Sequence, residues 1–164
     1  MPTLYTMPGT CSLSPNIAVA WLGAPLEIQN IPYGDQKKDY YLAINPKGQV
    51  PALRFDDGEV LTEASAVLAW LGATYGDESY ARDTQLGRKE AEALSYMTSE
   101  VHAAYGGHFN TQKFAETDAG KEEVKRRPTR SSPITTGEWT AFSARTGANG
   151  ISVSAPSQIR SSMC

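Results

Sequence analysis

Asp56-Asp57-Gly58 stands between two short β-like runs, 50–55 and 59–61, and constrains this chain more than any other stretch. Asp-Gly in that setting is a strong hairpin signal, because both turn positions need left-handed dihedrals that few residues adopt. What precedes it is organised differently. Residues 3–6 read as a strand and Met7-Pro8-Gly9-Thr10 as a loop. Ser14-Pro15 reads as a helix start: a hydroxyl cap before a proline whose missing N–H costs nothing at the first helical position. Ile17, Ala18, Trp21 and Leu22 supply that helix's apolar face, Gly23 its stop, and 26–31 a second strand. A polar loop with Lys37 and Lys38, a short helical turn over 40–44 and the breaker Asn45-Pro46-Lys47-Gly48 lead into the hairpin. Helical spacing of Ala66, Val67, Trp70 and Leu71 marks 63–75, closed by Gly76. The order β-α-β, then β-β-α, predicts a mixed sheet: one parallel unit followed by a hairpin, with helices packed on it.

Beyond 77 the pattern changes twice. Leu86, Glu90, Ala93, Leu94, Met97, Val101 and Tyr105 predict one long helix over 83–107, and 113–127 a second, more charged one. From Pro128 onward, 37 residues hold eight Ser, five Thr, three Gly and three Pro but no Leu, so too few large aliphatics remain to offset the entropy of ordering. The expected organisation is an α/β domain over 1–77, a partial helical domain over 83–127, and a disordered or loosely attached tail over 128–164. Fifteen basic and 18 acidic residues are mixed along the chain, which leaves no basic stripe for nucleic acid or an anionic membrane. No apolar run approaches the roughly 20 residues a bilayer crossing needs, and no basic-then-apolar leader opens the chain, so a cytoplasmic location is expected. Cys11 and Cys164, at opposite ends, form neither a disulfide framework nor a metal pattern.

Three stretches carry chemistry. Cys11 lies just ahead of a helix start, where free amides and the helix dipole favour an anion and lower a thiol pKa; it occupies the first position of a Cys-x-x-Ser spacing. Without a second thiol it can form a mixed disulfide with a small thiol or hydrogen-bond that thiol's sulfur. A buried cysteine acting as a small hydrophobe stands level with that reading. Val50-Pro51 is a candidate cis bond that would turn the Val50 main chain outward to pair with an extended peptide; taken by itself, a rigid turn leading into the hairpin is the simpler account. At Leu61-Thr62-Glu63-Ala64-Ser65, a strand runs straight into a helix, so the Ala64 and Ser65 amides can receive a carboxylate and Glu63 an ammonium group. A capped helix start is the alternative. Together the three fit a γ-glutamyl tripeptide.

Pro8-Gly9-x-Cys11-Ser12-Leu13-Ser14, Tyr41-Leu42-Ala43-Ile44-Asn45-Pro46-Lys47-Gly48-Gln49-Val50-Pro51-Ala52-Leu53, Asp56-Asp57-Gly58, Leu61-Thr62-Glu63 and Ser99-Glu100-Val101-His102 occur in combination. On these motifs, residues 2 to about 127 closely resemble the cytosolic glutathione S-transferases, in particular the bacterial beta class. The resemblance implies a thioredoxin-like N-terminal domain that binds glutathione, an all-helical second domain, here truncated, a homodimer, and a small hydrophobic electrophile as cosubstrate. It implies that Cys11 acts on the glutathione sulfur, with His102 reaching it from the other side and Ser12 as a reserve hydroxyl. Gln49, Val50 and Pro51 would meet the peptide backbone, Glu63, Ala64 and Ser65 the γ-glutamyl end, and Lys37 or Lys38 the glycyl carboxylate. Apart from the resemblance, His102 reads as a solvated helix residue. Tyr5 falls one residue early for the tyrosine other classes use, which in a strand reverses its face.

The departures are Ala64 in place of the usual hydroxyl residue, Ser95 in place of an asparagine, and the end of the resemblance near Arg127. The tail's composition suggests out-of-frame translation of a GC-rich coding sequence; a leucine-rich continuation in another frame would support this, and Cys164 would then have no role. The expected activity is conjugation of the glutathione thiolate to the electrophile. A glutaredoxin-like thiol transferase working through Cys11, or a non-catalytic binding module, stand as alternatives.

Overall fold

The computed structural model describes residues 1–126; the expectations placed on 128–164, the reading-frame hypothesis and Cys164 among them, lie outside the described residues. Strand β1 (Thr3–Thr6) leads to helix α1 (Leu13–Leu22), strand β2 (Glu27–Asn30), a 3-10 turn (Asp35–Lys37) and the single-turn helix α2 (Asp39–Leu42). Strands β3 (Ala52–Arg54) and β4 (Val60–Thr62) form the hairpin at Asp56-Asp57-Gly58, and helix α3 (Ala64–Tyr75) follows. The sheet order is β2-β1-β3-β4, with β1 parallel to β2 (Thr3 opposite Glu27) and antiparallel to β3 (Thr3 opposite Arg54). This is the mixed sheet that the order of elements requires.

Alternation along β1 and β3 separates two apolar layers. Leu4 and Leu53 face a cluster with Val19 and Ala24 from the α1 side and Val67 and Leu71 from α3. Tyr5 and Ala52, one residue away on each strand, face the opposite layer with Met7, Ile31 and Tyr41. Leu4, Leu53, Val67 and Leu71 have no exposed surface, and burying each contributes about 1.5–3 kcal/mol. Tyr5 packs edge-to-face on Tyr41 with ring centroids 5.9 Å apart. It faces the core.

Two local expectations change. Helix α1 begins at Leu13 rather than after Ser14, with Ser12 as its N-cap residue, and Ser14 donates its hydroxyl to the Cys11 carbonyl at 2.9 Å. Pro15 still falls within the first turn, where its missing N–H leaves no bond unmade.

The chain divides into two compact units, Met1–Thr84 and one that begins at Gln85. In the second, the single helix expected over 83–107 is divided into α4 (Gln85–Tyr96), a π-helical turn (Met97–His102) and, after a break at Tyr105, the short α5 (Gly106–Phe109). The Thr98 hydroxyl donates to the Leu94 and Ser95 carbonyls at 2.9 and 3.1 Å, and Ser99 donates to Ser95 at 2.9 Å. Such back-bonding competes with the helical ladder where it widens. Helix α6 (Asp118–Arg126) carries the expected charge, with Lys121–Asp118 and Lys125–Glu122 pairs one turn apart. No helix among the described residues is long and apolar enough to cross a membrane.

Candidate functional site

The three stretches singled out in the first unit converge at one end of the sheet. The Cys11 thiol lies 3.4 Å from the Val50 carbonyl, to which it donates, and Val50-Pro51 is a cis peptide bond. Among the described residues the Val50 N–H has no hydrogen-bond acceptor. Cys11 is solvent-exposed as a residue, yet enough protein surrounds its sulfur to shift the thiol pKa above its ordinary 9.0. Desolvation is the main cause; a hydrogen bond with its own backbone pulls the other way, and the Glu63 carboxylate adds a smaller upward push. The lowering expected from the helix start is therefore overturned. At neutral pH Cys11 is a thiol, a donor rather than an anion.

Glu63 opens α3 with φ +72°, the one non-glycine residue with positive φ among those described, and its side chain makes no capping bond. The capped-start reading thus fails for Glu63. Its carboxylate instead takes the Lys47 ammonium at 2.8 Å, and Lys47 also donates to the Thr62 hydroxyl at 3.1 Å. A bulky residue held in left-handed backbone costs about 1–3 kcal/mol and concentrates at functional sites. Lys47 was not among the residues expected in the site. In the sequence it stands within the Asn45-Pro46-Lys47-Gly48 breaker and the longer motif around it, but charge pairing between residues 16 positions apart leaves no local pattern.

Other expected positions fare differently. Ser12 is fully buried and committed to the loop: the Met7 N–H donates to its hydroxyl at 2.8 Å, the hydroxyl donates to the Met7 carbonyl at 3.1 Å, and Thr10 lies 2.8 Å away. Its hydroxyl, expected as a reserve group for the sulfur, is thus taken up by contacts within the loop. Lys38 pairs with Asp35 at 2.6 Å, which holds the Asp35 carboxyl below the usual carboxylate range. Lys37 points toward the breaker loop, its ammonium 3.5 Å from the Lys47 carbonyl. Gln49 is exposed, while Ala64 and Ser65 are half-buried in the first turn of α3. His102 is exposed within the π-helical turn of the second unit.

An open hollow of about 580 Å³, lined by Pro2, Phe55, Asp56, Asp57, Glu59, Leu61 and Trp70, lies at the hairpin end of β3 and β4. It contains none of the expected site residues, and Asp56 there is paired with the N-terminal ammonium. Among the described residues, no group of three or more His, Cys, Asp or Glu side chains could hold a metal.

Residues 10–74 match the family model described as glutathione S-transferase, N-terminal domain. Glutathione S-transferase GstA of Escherichia coli O157:H7 is 35% identical over 107 residues, covering 62% of this chain and 53% of that protein. Glutathione S-transferase GST-4.5 of Xanthomonas campestris pv. campestris is 30% identical over 118 residues, covering 71% and 57%. The chain thus spans about half the length of these curated relatives. Among solved structures, a glutathione transferase homolog from Sulfitobacter with bound glutathione superposes with a TM-score of 0.71 at 28% identity, covering 87% of this chain and 68% of that one. The N-terminal unit has the thioredoxin-like α/β fold, followed by a helical part. Over residues 10–74 the chain is thus similar to the glutathione S-transferase N-terminal domain family.

Proposed function

We propose that this chain binds glutathione and promotes attack of its thiolate on a small hydrophobic electrophile. The observation that carries the reading is the meeting of the Cys11 thiol with the Val50 main chain at 3.4 Å, beside a cis proline and within the field of Glu63. Val50 offers an N–H and a carbonyl to an extended peptide, in the manner of an added strand. The uncapped first turn of α3, with the Ala64 and Ser65 amides, suits the α-carboxylate of the γ-glutamyl end, and Glu63 suits its ammonium. Lys37, beside the breaker loop, suits the glycyl carboxylate; Lys38, already held by Asp35, suits it less. Relatives solved with bound glutathione support the ligand.

Because burial keeps Cys11 protonated, its S–H can turn from the Val50 carbonyl to a bound sulfur and stabilise it as a thiolate. The ligand's thiol gives up its proton to solvent water, the thiolate forms the new S–C bond, and the electrophile's leaving group departs with the bonding electrons. That favours conjugation over thiol transfer, which would need Cys11 itself as the thiolate. His102 keeps the role implied by the resemblance, and its place in a π-helical turn, a common setting for functional residues, supports it. The beta class, the homodimer and a cytoplasmic setting belong to the same reading, and Cys11 in the loop before α1 is what favours the class.

Retention on immobilised glutathione and conjugation of an aryl halide test the proposal. Both are expected, and Cys11→Ala should slow conjugation while abolishing any mixed disulfide formed with oxidised glutathione. A chain that is neither retained nor shows binding heat with glutathione overturns the reading. Reduction of a glutathione mixed disulfide without conjugation would establish the thiol-transferase alternative, and retention without turnover the binding module.

A further inference from the structure

The Val50 N–H does not stand alone: it belongs to the same rigid amide plane as the Gln49 carbonyl. That carbonyl accepts two hydrogen bonds, from the Tyr41 hydroxyl at 2.7 Å and from Asn45 Nδ2 at 2.8 Å. Both donors come from the interior, Tyr41 with no exposed surface and Asn45 with 3%. Asn45 is itself fixed on every side. Its N–H donates to the Tyr41 carbonyl at 2.8 Å, its carbonyl accepts from Gly48 at 2.8 Å, and its Oδ1 accepts the Lys47 N–H at 3.1 Å. Burial pushes the Tyr41 hydroxyl up to about 12, so it remains a donor throughout the working pH range.

We propose that Tyr41 and Asn45 are positioning residues that lock the Gln49–Val50 amide plane, so that the Val50 N–H is aimed and ready for a carbonyl of the bound peptide. The inference rests on the glutathione reading and adds to it a buried pair that never touches the ligand. Two donors on the carbonyl fix the direction of the N–H across the plane, and they also polarise the amide, which strengthens its N–H as a donor. The ordering cost is met when the chain folds rather than when the ligand arrives. With both lone pairs engaged, the Gln49 carbonyl has no reason to turn outward and present the opposite face of the plane.

Tyr41→Phe keeps the ring against Tyr5 and removes one donor; Asn45→Asp keeps the acceptor for the Lys47 N–H and removes the other. Calorimetric titration of the full chain uses two probes: glutathione, and a glutathione analogue whose cysteinyl carbonyl is reduced to a methylene. Each variant is expected to lose about threefold to tenfold in glutathione affinity, the equivalent of one neutral hydrogen bond. The analogue, which offers the Val50 N–H no acceptor, should bind wild type and variants alike. Equal loss for both probes would mean general loosening and would overturn the proposal, as would variants that bind glutathione like wild type. Wild type that does not bind glutathione defeats the functional reading, and this proposal with it.

Discussion

Gly48 provides the sharpest test of how the breaker loop is built. Its φ is +58°, and a Cβ placed there would lie 2.8 Å from the Gln36 carbonyl oxygen, 2.9 Å from the Lys37 ammonium and 3.1 Å from a Leu42 methyl. The lysine head can swing aside, but the Gln36 carbonyl is backbone in the turn Asp35–Lys37 and cannot do so alone. Gly48→Ala therefore meets two costs. Left-handed backbone for an L-residue costs about 1–2 kcal/mol, and forcing a methyl into a filled space about 1–3 kcal/mol more. Stiffening of the unfolded chain returns about 0.4–1 kcal/mol, which leaves a net loss of about 1–5 kcal/mol. Gly9 and Gly58 supply the control: φ is +75° and +91°, and nothing lies within 4 Å of the added carbon. Their alanine variants carry the backbone cost alone, about 1 kcal/mol after the same offset. Urea unfolding followed by tryptophan fluorescence should rank Gly48→Ala below both, by at least about 1 kcal/mol. Equal midpoints for the three would show that the turn gives way freely, and the account of a loop clamped against Gln36 would fail.

Ser12→Ala should destabilise the fold by about 1–3 kcal/mol, since it strands the buried Met7 N–H. Conjugation per folded molecule should change little; a large fall in kcat with unchanged stability would restore Ser12 to the sulfur chemistry. Alkylation of Cys11 by iodoacetamide should reach half its maximal rate above pH 9.0, and Glu63→Gln should bring that midpoint down only in part, because desolvation is the larger cause. The folded state holds this thiol protonated more tightly than the unfolded one, so its contribution to stability is whole below pH 9.0 and is lost as pH rises through the raised value. A midpoint below that of a free peptide cysteine would contradict the burial argument.

Local chemistry made most of the fold legible. Asp-Gly fixed the hairpin, alternation fixed the faces of β1 and β3, and Gly23 and Gly76 closed their helices near the expected points. The Cys11, Val50-Pro51 and Glu63 stretches could be picked out one at a time, and the structure draws them to one end of the sheet. What resisted was whatever depends on distance in sequence or on hydroxyl placement. Lys47 finds Glu63 only through the hairpin. Ser12 looks available in the sequence because nothing local says that its oxygen turns inward to Met7. The thiol pKa went astray for a related reason: a helix start argues for an anion, whereas burial, which outweighs it, is a property of the packed chain. The π-helical turn in the long helix coincides with hydroxyls bonded back to carbonyls, which apolar spacing does not register.

The strand order leaves β2 and β4 as the two edges of the four-stranded sheet. An edge with free backbone donors and acceptors is a template on which another chain can grow. Here β4 is only three residues long, and β2 turns Glu27, Gln29 and Asn30 to the solvent. Thr6 binds Asn30 at 2.7 Å and Thr3 binds Glu27 at 3.4 Å, so the polar fringe is tethered to its neighbouring strand. Sheet growth is therefore discouraged at both margins by brevity and polarity, a protection against aggregation that lies in the first unit and makes no use of Cys11, Val50 or Glu63.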